Sequence, residues 1–401
     1  MKWLPAENEL GREQKDILAE IFKTENNESI SGFPGSGKTV ILLYAVVNLR
    51  KKNPNSKILV VEFTHALIKM LQAAINELSK EQKYQELNLG NVEIRTYYDF
   101  AKRTNTQYDY IICDEVQDIP TIVVQYMKQR AKRVIVGGDS NQSIYTEDPQ
   151  WRMAPCTSAE LDTLLYPNKT NLTVIYRLTK KIISAINSFL PSMKILEGKA
   201  SMIKTNVQIR LWKSGDKRQE TKHIMDEAIS RINNNDTVGI LTPTHSKIIA
   251  FANFALENAQ KPIWVEQKTK YGKIDFASLN MHLKENNIPM QYVANGYGNF
   301  TSDENMITLT TYHSSKGLDF DTVLLPFCNA FDMPSMVTPT LFMVAMTRSR
   351  KDLFISYSSD RPCSYVHSFS STCRYKDWCN DGVGSLFGND NNNNEDEDFD
   401  F

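Results

Sequence analysis

The chain has 401 residues, 41% hydrophobic and 23% charged, with no apolar run long enough to cross a bilayer. That length supports two domains with separate cores, and no charged-then-apolar segment opens the sequence, so a cytoplasmic, membrane-free protein is expected. The net charge of −1 is unevenly spread: residues 390–401 hold six acids and no base, leaving the remainder at +5, which permits nucleic-acid binding without demanding it.

In chain order, residues 29–31 read as a short strand entering a glycine-rich turn, and 38–50 as a helix. Residues 57–63 form a buried strand, 66–78 a helix, and 110–114 and 133–137 further strands. A seam falls near 166–171. Beyond it, strands are expected near 207–212, 238–241, 306–311, 322–326 and 353–357, with helices near 217–233, 246–258 and 340–349. Apolar runs alternating with helical stretches signal parallel sheets covered on both faces, so both halves read as α/β. The expected domains are 1–170 and 171–362, followed by an extension over 363–401. Residues 380–401, Asn-rich and then acidic, cannot bury enough apolar surface to fold alone.

Gly32-Phe33-Pro34-Gly35-Ser36-Gly37-Lys38-Thr39 matches G-x-x-x-x-G-K-[ST] between a strand and a helix. Its glycines let backbone N–H groups close around phosphate oxygens at a helix N-terminus. Lys38 would then reach the β- and γ-phosphates, and the Thr39 hydroxyl would bind Mg²⁺. About 75 residues further on, the apolar strand Ile111-Ile112-Cys113 ends in Asp114 and Glu115. Beside a phosphate loop, the first acid holds Mg²⁺ and the second polarises the attacking water. Gln142 follows the next strand; its amide both donates and accepts and can report a γ-phosphate, although alone it is an ordinary polar turn.

Read together, these segments resemble the superfamily 1 helicases, in their UvrD/Rep branch, nearly end to end through Arg350. Asp114-Glu115-Val116-Gln117-Asp118 matches the family's D-E-x-Q-D, and Gly138 through Tyr145 its G-D-x-x-Q-S-I-Y. Thr311-Tyr312-His313-Ser314-Ser315-Lys316-Gly317-Leu318-Asp319-Phe320 matches the long motif that couples ATP to nucleic acid, and Val344 to Arg348 matches V-A-x-T-R. The resemblance implies two RecA-like parallel-sheet domains in tandem, with ATP and Mg²⁺ in the cleft between them. Gln14 is similar to the residue that reads adenine, Tyr176 to the tyrosine that stacks on it, and Arg177 and Arg348 to the arginines that reach the γ-phosphate from the second domain. Arginine donors supplied across a cleft are worth ~10³–10⁵ in rate and make hydrolysis depend on closure.

The same resemblance implies an ATP-driven translocase on single-stranded DNA moving 3′ to 5′, with RNA as the alternative strand. Its track would use Phe63, Thr64, His65, Thr96, Tyr97, Tyr145, Thr311 and His313, with Tyr98 nearby. Stacking faces and hydroxyl donors suit sequence-independent grip, and core packing is the alternative for each aromatic. Glu147 stands where the family commonly has a base-stacking aromatic, and Trp151 is out of register with it. Only 80–95 and 301–305 are spare where large members insert helical domains, and 321–340 is too short for a strand-separating hairpin. A near-minimal motor core follows, for which a partner-controlled ATP switch is the second reading.

Six cysteines without regular spacing fit a reducing compartment. Cys363, His367, Cys373 and Cys379 match no common zinc framework, and unpaired cysteines in a loose segment are expected. Glu395 to Phe401 is similar to the acidic, phenylalanine-ended tails of single-stranded-DNA-binding proteins. It would dock a protein partner, occupy this chain's own basic track, or act as a solubilising segment.

Overall fold

Runs of five or six apolar residues without alternation require strands buried on both faces, and the computed structural model is built on such strands. It describes residues 4–63, 65–103, 105–148, 151–200, 209–294, 296–298 and 305–379. The acidic stretch from Asp390 to Phe401 lies outside them.

The strands of the first half are β1 (Glu28–Gly32), β2 (Ile58–Glu62), β3 (Glu93–Thr96), β4 (Tyr108–Cys113), β5 (Ala131–Gly138) and β6 (Asn168–Leu172). They form one all-parallel sheet in the order β3-β2-β4-β5-β1-β6. Helices α1 (Arg12–Lys23), α2 (Lys38–Lys52) and α3 (His65–Lys80) belong with this sheet, as do α4 (Tyr97–Lys102), α5 (Thr121–Arg130) and α6 (Ser158–Leu165). Because alternate residues of a strand face opposite ways, Val60 and Ile112 pack with Leu42 and Ile75 on one side. Val61 and Ile111 pack with Phe100 and Val123 on the other.

A two-stranded ribbon, β7 (Val174–Ile175) with β8 (Lys199–Ala200), follows, flanking α7 (Lys180–Phe189). The second sheet contains β9 (Ile209–Lys213), β10 (Val238–Thr242), β11 (Met290–Tyr292), β12 (Ile307–Thr311), β13 (Phe320–Leu325), β14 (Ser349–Tyr357) and β15 (Arg374–Asp377). Their order is β11-β12-β10-β13-β14-β9-β15, again all parallel. Its helices are α8 (Lys217–Asn233), α9 (His245–Asn258), α10 (Phe276–Glu285), α11 (Pro339–Met346) and the short α12 (Ser364–His367). One face packs against α8, α9 and α10, the other against α7 and α11. The chain is thus α/β, with two parallel sheets in tandem, each covered on both faces. Among the described residues no helix is long and apolar enough to cross a membrane.

Three expectations need correction. The seam does not fall at 170, because β6 runs to Leu172 and pairs with β1 along its whole length. Its sequence, Asn-Lys-Thr-Asn-Leu, is polar because an edge strand needs only part of its surface buried. The extension from 363 is not loose: Cys363, Val366 and Phe369 enter the second core, and β15 adds an outer strand beside β9. Cys363 is buried and Cys379 exposed, and among the described residues no group of three or more His, Cys, Asp or Glu is placed to hold a metal. Finally, the helix expected over 340–349 stops at Met346, and Ser349 already begins β14.

The strand leading into the glycine-rich loop is braced by a buried pair. Arg133 on β5 lies 3.3 Å from Glu28 on β1, with side chains 2% and 1% exposed. The same guanidinium donates to the carbonyls of Asn26 (2.5 Å) and Ile21 (2.8 Å), fixing the end of α1 against the sheet. Replacing Arg133 strands a buried carboxylate. Arg133→Ala is expected to cost about 3–5 kcal/mol, read as a lowered urea midpoint, whereas Arg133→Ala with Glu28→Gln recovers part of that loss.

Candidate nucleotide site and nucleic-acid face

Between β1 and α2 the backbone turns through Gly35 (φ 75) and Gly37 (φ 91), a left-handed region that side chains resist. Close approach adds a second demand. A Cβ on Gly35 would lie 2.4 Å from the Arg177 Cβ, and one on Gly37 would lie 2.3 Å from the Gln14 amide nitrogen. The Gly35 carbonyl accepts from the backbone N–H of Tyr176 (2.9 Å) and of Arg177 (3.2 Å), so this loop carries the entry to the second half. Gln14 donates to the Ser36 carbonyl (3.3 Å) and accepts from the Gly11 N–H (3.0 Å), while the Tyr176 ring covers Gly11.

Lys38, the first residue of α2, donates to the carbonyls of Gly32 (2.7 Å) and Phe33 (3.4 Å). The Thr39 hydroxyl donates to Asp114 Oδ2 at 2.5 Å, joining the loop to the end of β4. Glu115 adopts φ 51, a conformation rare outside glycine, and it is held by Gln117 Nε2 at 2.5 Å. Burial, followed by the neighbouring Glu115, pushes Asp114 up to about 6. Burial also acts to raise Glu115, but Lys316 and then Lys38 outweigh it and hold this acid at about 2. One acid of the pair is therefore firmly ionised. Gln142, 2% exposed, donates to Asp139 Oδ2 at 2.8 Å.

The second sheet supplies the opposite wall. Arg177 lies 3.4 Å from Asp319 and donates to the Thr347 carbonyl at 3.4 Å. Arg348 donates to the carbonyls of Val344 (2.9 Å) and Leu318 (3.2 Å) and to the Thr347 hydroxyl (3.0 Å). Burial, and then Arg177, pull Arg348 below its usual value, yet it remains a cation at neutral pH. Gly317 takes φ 84, and a Cβ there would strike the Leu67 side chain of α3 at 2.5 Å. Gln14, Pro34, Gly35, Gly37, Lys38, Thr39, Glu115, Gln142, Tyr176, Arg177, Gly317 and Arg348 line one cleft of about 270 Å³. Gly32 and Ser36 lie in the loop behind it, with the Ser36 hydroxyl buried and unpartnered.

These residues fit a magnesium nucleotide. Four cations (Lys38, Arg177, Arg348 and Arg350) line the cleft beside the acids Glu9, Glu115 and Asp319, and a divalent ion beside Thr39 and Asp114 would relieve the crowding that raises Asp114. A larger cleft, of about 450 Å³, opens behind Phe33, but among the described residues its only lining cation, Lys194, sits 3.9 Å from Glu197.

The expected nucleic-acid residues divide. Phe63 lies 4.8 Å from Tyr145, which lies 5.7 Å from His313, and all three rings are half-buried in one row. Burial, and then His245, hold His313 below its usual value, so it is a neutral ring at pH 7. Tyr97 is a correction: it is 2% exposed, stacks on Phe63 at 5.3 Å and donates its hydroxyl to buried Asp148, so it belongs to the core. Thr96 is another, since its hydroxyl caps α4 by accepting from Asp99 N–H (3.1 Å). Thr311 is also buried and spends its hydroxyl on Ser314. Tyr98 and Trp151 pack together at 5.4 Å, and Glu147 is exposed. Thr64 and the His65 side chain lie outside the described residues.

Two family models match this chain, one described as an AAA domain over residues 14–148 and one as a UvrD-like helicase C-terminal domain over residues 278–360. The chain belongs to the UvrD/Rep-like branch of the superfamily 1 helicases. Within this helicase family, the RecBCD enzyme subunit RecB of Chlamydia trachomatis is 47% identical over 62 residues, which are 14% of this chain and 6% of that one. A probable DNA helicase II homolog of Mycoplasma capricolum is 28% identical over 182 residues, 37% of this chain and 24% of that one. The arterivirus nonstructural protein 10 helicase aligns over 89% of this chain and 63% of its own, at 16% identity and a TM-score of 0.43. This chain therefore spans a small part of the curated relatives it matches.

Sequence reasoning quoted Lys316 and Asp118 inside helicase motifs without giving them a task. In the structure the Lys316 ammonium donates to the Asp118 carboxylate and to the Gln142 carbonyl (2.8 Å), and lies 3.7 Å from Glu115. Glu62, buried at the end of β2 with one oxygen unpartnered, was also passed over; burial, then Asp114 and Glu115, push its carboxyl well above the usual carboxylate range. Only its lone acid in an apolar strand could have signalled it. Lys316→Met is expected to cost about 3–5 kcal/mol by leaving Asp118 buried and unpaired. Adding Asp118→Asn should restore part of it, and a double-mutant cycle in urea should give a coupling above ~1 kcal/mol.

Proposed function

We propose that this chain is a nucleic-acid-stimulated ATPase that moves along single-stranded DNA. The observation that carries the reading is the cleft lined by Lys38, Thr39 and Glu115 from the first half of the chain and by Arg177 and Arg348 from the second half. We take the first motor domain to end at Leu172 and the second to run from Thr173 through Trp378.

In this reading adenine lies between Gln14 and Tyr176, and the triphosphate enters the glycine loop. Lys38 exchanges the Gly32 and Phe33 carbonyls for β- and γ-phosphate oxygens, a stronger charge-assisted contact. Thr39 and Asp114 would hold Mg²⁺, which would supply positive charge to the phosphates. Glu115, ionised and fixed by Gln117, orients a water in line with the γ-phosphorus and takes its proton as the new P–O bond forms and the bond to the bridging oxygen breaks. Gln142 registers the γ-phosphate, and Arg177 with Arg348 stabilise the charge that develops on it. Because the arginines come from the second domain, hydrolysis answers to closure, and alternating closure drives movement along the Phe63–Tyr145–His313 row. The D-E-x-Q-D and Q-S-I-Y forms support 3′ to 5′ polarity by family resemblance.

Buried Tyr97 and Thr96, together with the exposed acid Glu147, favour a second reading: a partner-controlled ATP switch with little grip on a strand. Lys38→Ala should reduce ATP turnover to background without changing the melting temperature, and Arg177→Ala or Arg348→Ala should slow it by ~10³ or more. Turnover surviving in Lys38→Ala rules out the nucleotide assignment. Phosphate release measured with and without oligothymidine, and with an RNA of equal length, separates the readings: stimulation by DNA supports the motor, by RNA an RNA-directed one, and by neither the switch.

A further inference from the structure

Between α9 and α10 the chain makes an excursion that the nucleotide site does not use. Its lower part is anchored: Asn253 holds Trp264 through two backbone bonds (3.1 and 2.9 Å), and the Trp264 indole N–H donates to Ser278 at 3.2 Å. Above this anchor, residues 267–275 close into a small hairpin. Asp275 N–H donates to the Gln267 carbonyl (2.8 Å), Thr269 N–H to Lys273 (2.7 Å) and Gly272 N–H to Thr269 (2.9 Å). Lys268 and Ile274 form an antiparallel bridge. Gly272 supplies φ 74, the left-handed residue that follows a tight turn in three-residue hairpins. No heavy atom lies within 4 Å of a Cβ placed there, so the tip stands in open space. Its attachment is firm, because Asp275 Oδ1 accepts from the N–H groups of Ala277 (3.0 Å) and Ser278 (3.2 Å) and caps α10.

Ile274 packs against the second core at the foot of the hairpin, but the side chains nearer its tip point into solvent. Tyr271 at the tip is 77% exposed, with the Lys270 ammonium 5.0 Å from its ring. Lys268, Lys270 and Lys273 are all exposed, and among the described residues none of them has an ion pair. Glu266, at the base, is the one exposed acid in the excursion. Three cations against one acid, Asp275, leave the nine-residue loop with a net charge of +2 and make it a locally positive surface.

Position gives the loop its use. α10 starts at Phe276, whose ring lies 5.2 Å from His245. His245 opens α9 just beyond the C-terminal end of β10, and His313 follows the C-terminal end of the adjacent β12. His313 in turn neighbours Tyr145, which itself neighbours Phe63. Ligands of open parallel sheets gather at this edge. The nearby loop after β11 reaches the first domain too, its Gly298 carbonyl accepting from Lys69 of α3 at 3.3 Å. Tyr271 is five residues from Phe276, under about 18 Å of chain even if fully extended.

We propose that the 267–275 hairpin is a further single-strand-binding element, in which Lys268, Lys270 and Lys273 take phosphates of the strand leaving the Tyr145–His313 row and Tyr271 stacks on an unpaired base. It rests on the nucleic-acid reading given above. The geometry suits sequence-independent grip, which combines backbone cations with an accessible ring.

The full chain can be titrated against fluorescein-labelled oligothymidines of about 8 to 20 nucleotides by anisotropy, over a series of salt concentrations. Replacing Lys268, Lys270 and Lys273 together by alanine should weaken binding about tenfold or more and flatten the slope of log K against log salt by about 2. Tyr271→Ala should weaken it about fivefold to tenfold with the slope unchanged. All four side chains are exposed, so melting temperatures should match the unaltered protein, and Tyr271→Phe should bind normally. Unaltered affinity and slope in the hairpin variants, alongside weakened binding in His313→Ala, would overturn the hairpin while leaving the track intact. Absence of binding by the unaltered protein to DNA and RNA alike would overturn both.

Discussion

Lys316 enters the first domain from the loop after β12 and meets Asp118, Glu115 and the Gln142 carbonyl, with only 3% of its side chain exposed. A buried ammonium costs several kcal/mol unless its partners are well placed, and here every partner comes from the opposite domain. Asp118 is equally dependent, since its side chain has no exposed surface. Neither half can bury these charges alone in this arrangement. The contact that joins the domains is therefore also the contact that keeps Glu115 ionised at the cleft.

Glycine sets how closely the two halves approach elsewhere. Gly35 lets the first domain's loop touch Arg177, and Gly317 lets the second domain's loop touch Leu67. At both places the missing side chain is as much an interface requirement as a backbone one, because φ is positive and the neighbour lies inside van der Waals range. Alanine in either position would hold the domains apart by the width of a methyl group. The phosphate loop is thus shaped by the second domain as well as by the ligand it suits.

The parts legible in the sequence were those whose chemistry is local. A strand, a glycine turn and a helix define the phosphate loop within a dozen residues, and the Asp114–Glu115 pair ends an apolar strand. The two arginines singled out by the family pattern both line the cleft. Polar edge strands were not legible: Asn168–Leu172 and Arg374–Asp377 carry few apolar residues because sheet pairing, rather than burial, holds them. Side-chain direction was hidden too. Thr96 and Tyr97 occupy the expected positions, but one caps α4 and the other turns inward to Asp148. The role of Lys316 depends on a partner 198 residues away, and no local pattern contains that information.

The two arginines illustrate how such a cleft can be held ready without being active. Arg348 spends its donors on the carbonyls of Val344 and Leu318 and on the Thr347 hydroxyl, all within its own domain. Arg177 is drawn towards Asp319. Each group is satisfied, so neither is forced into the cleft by an unmet hydrogen bond. A triphosphate changes the balance, because bonds to ionised oxygens are about twice as strong as those to neutral carbonyls. That exchange is available only when the domains sit close enough for both arginines to reach one γ-phosphate. Nucleotide charge would then, in the proposed mechanism, favour the closed arrangement, and its loss on hydrolysis would return the arginines to partners of their own domain. In the proposed mechanism the stroke arises from this competition, and the strength of the resting contacts sets how sharply closure depends on the third phosphate.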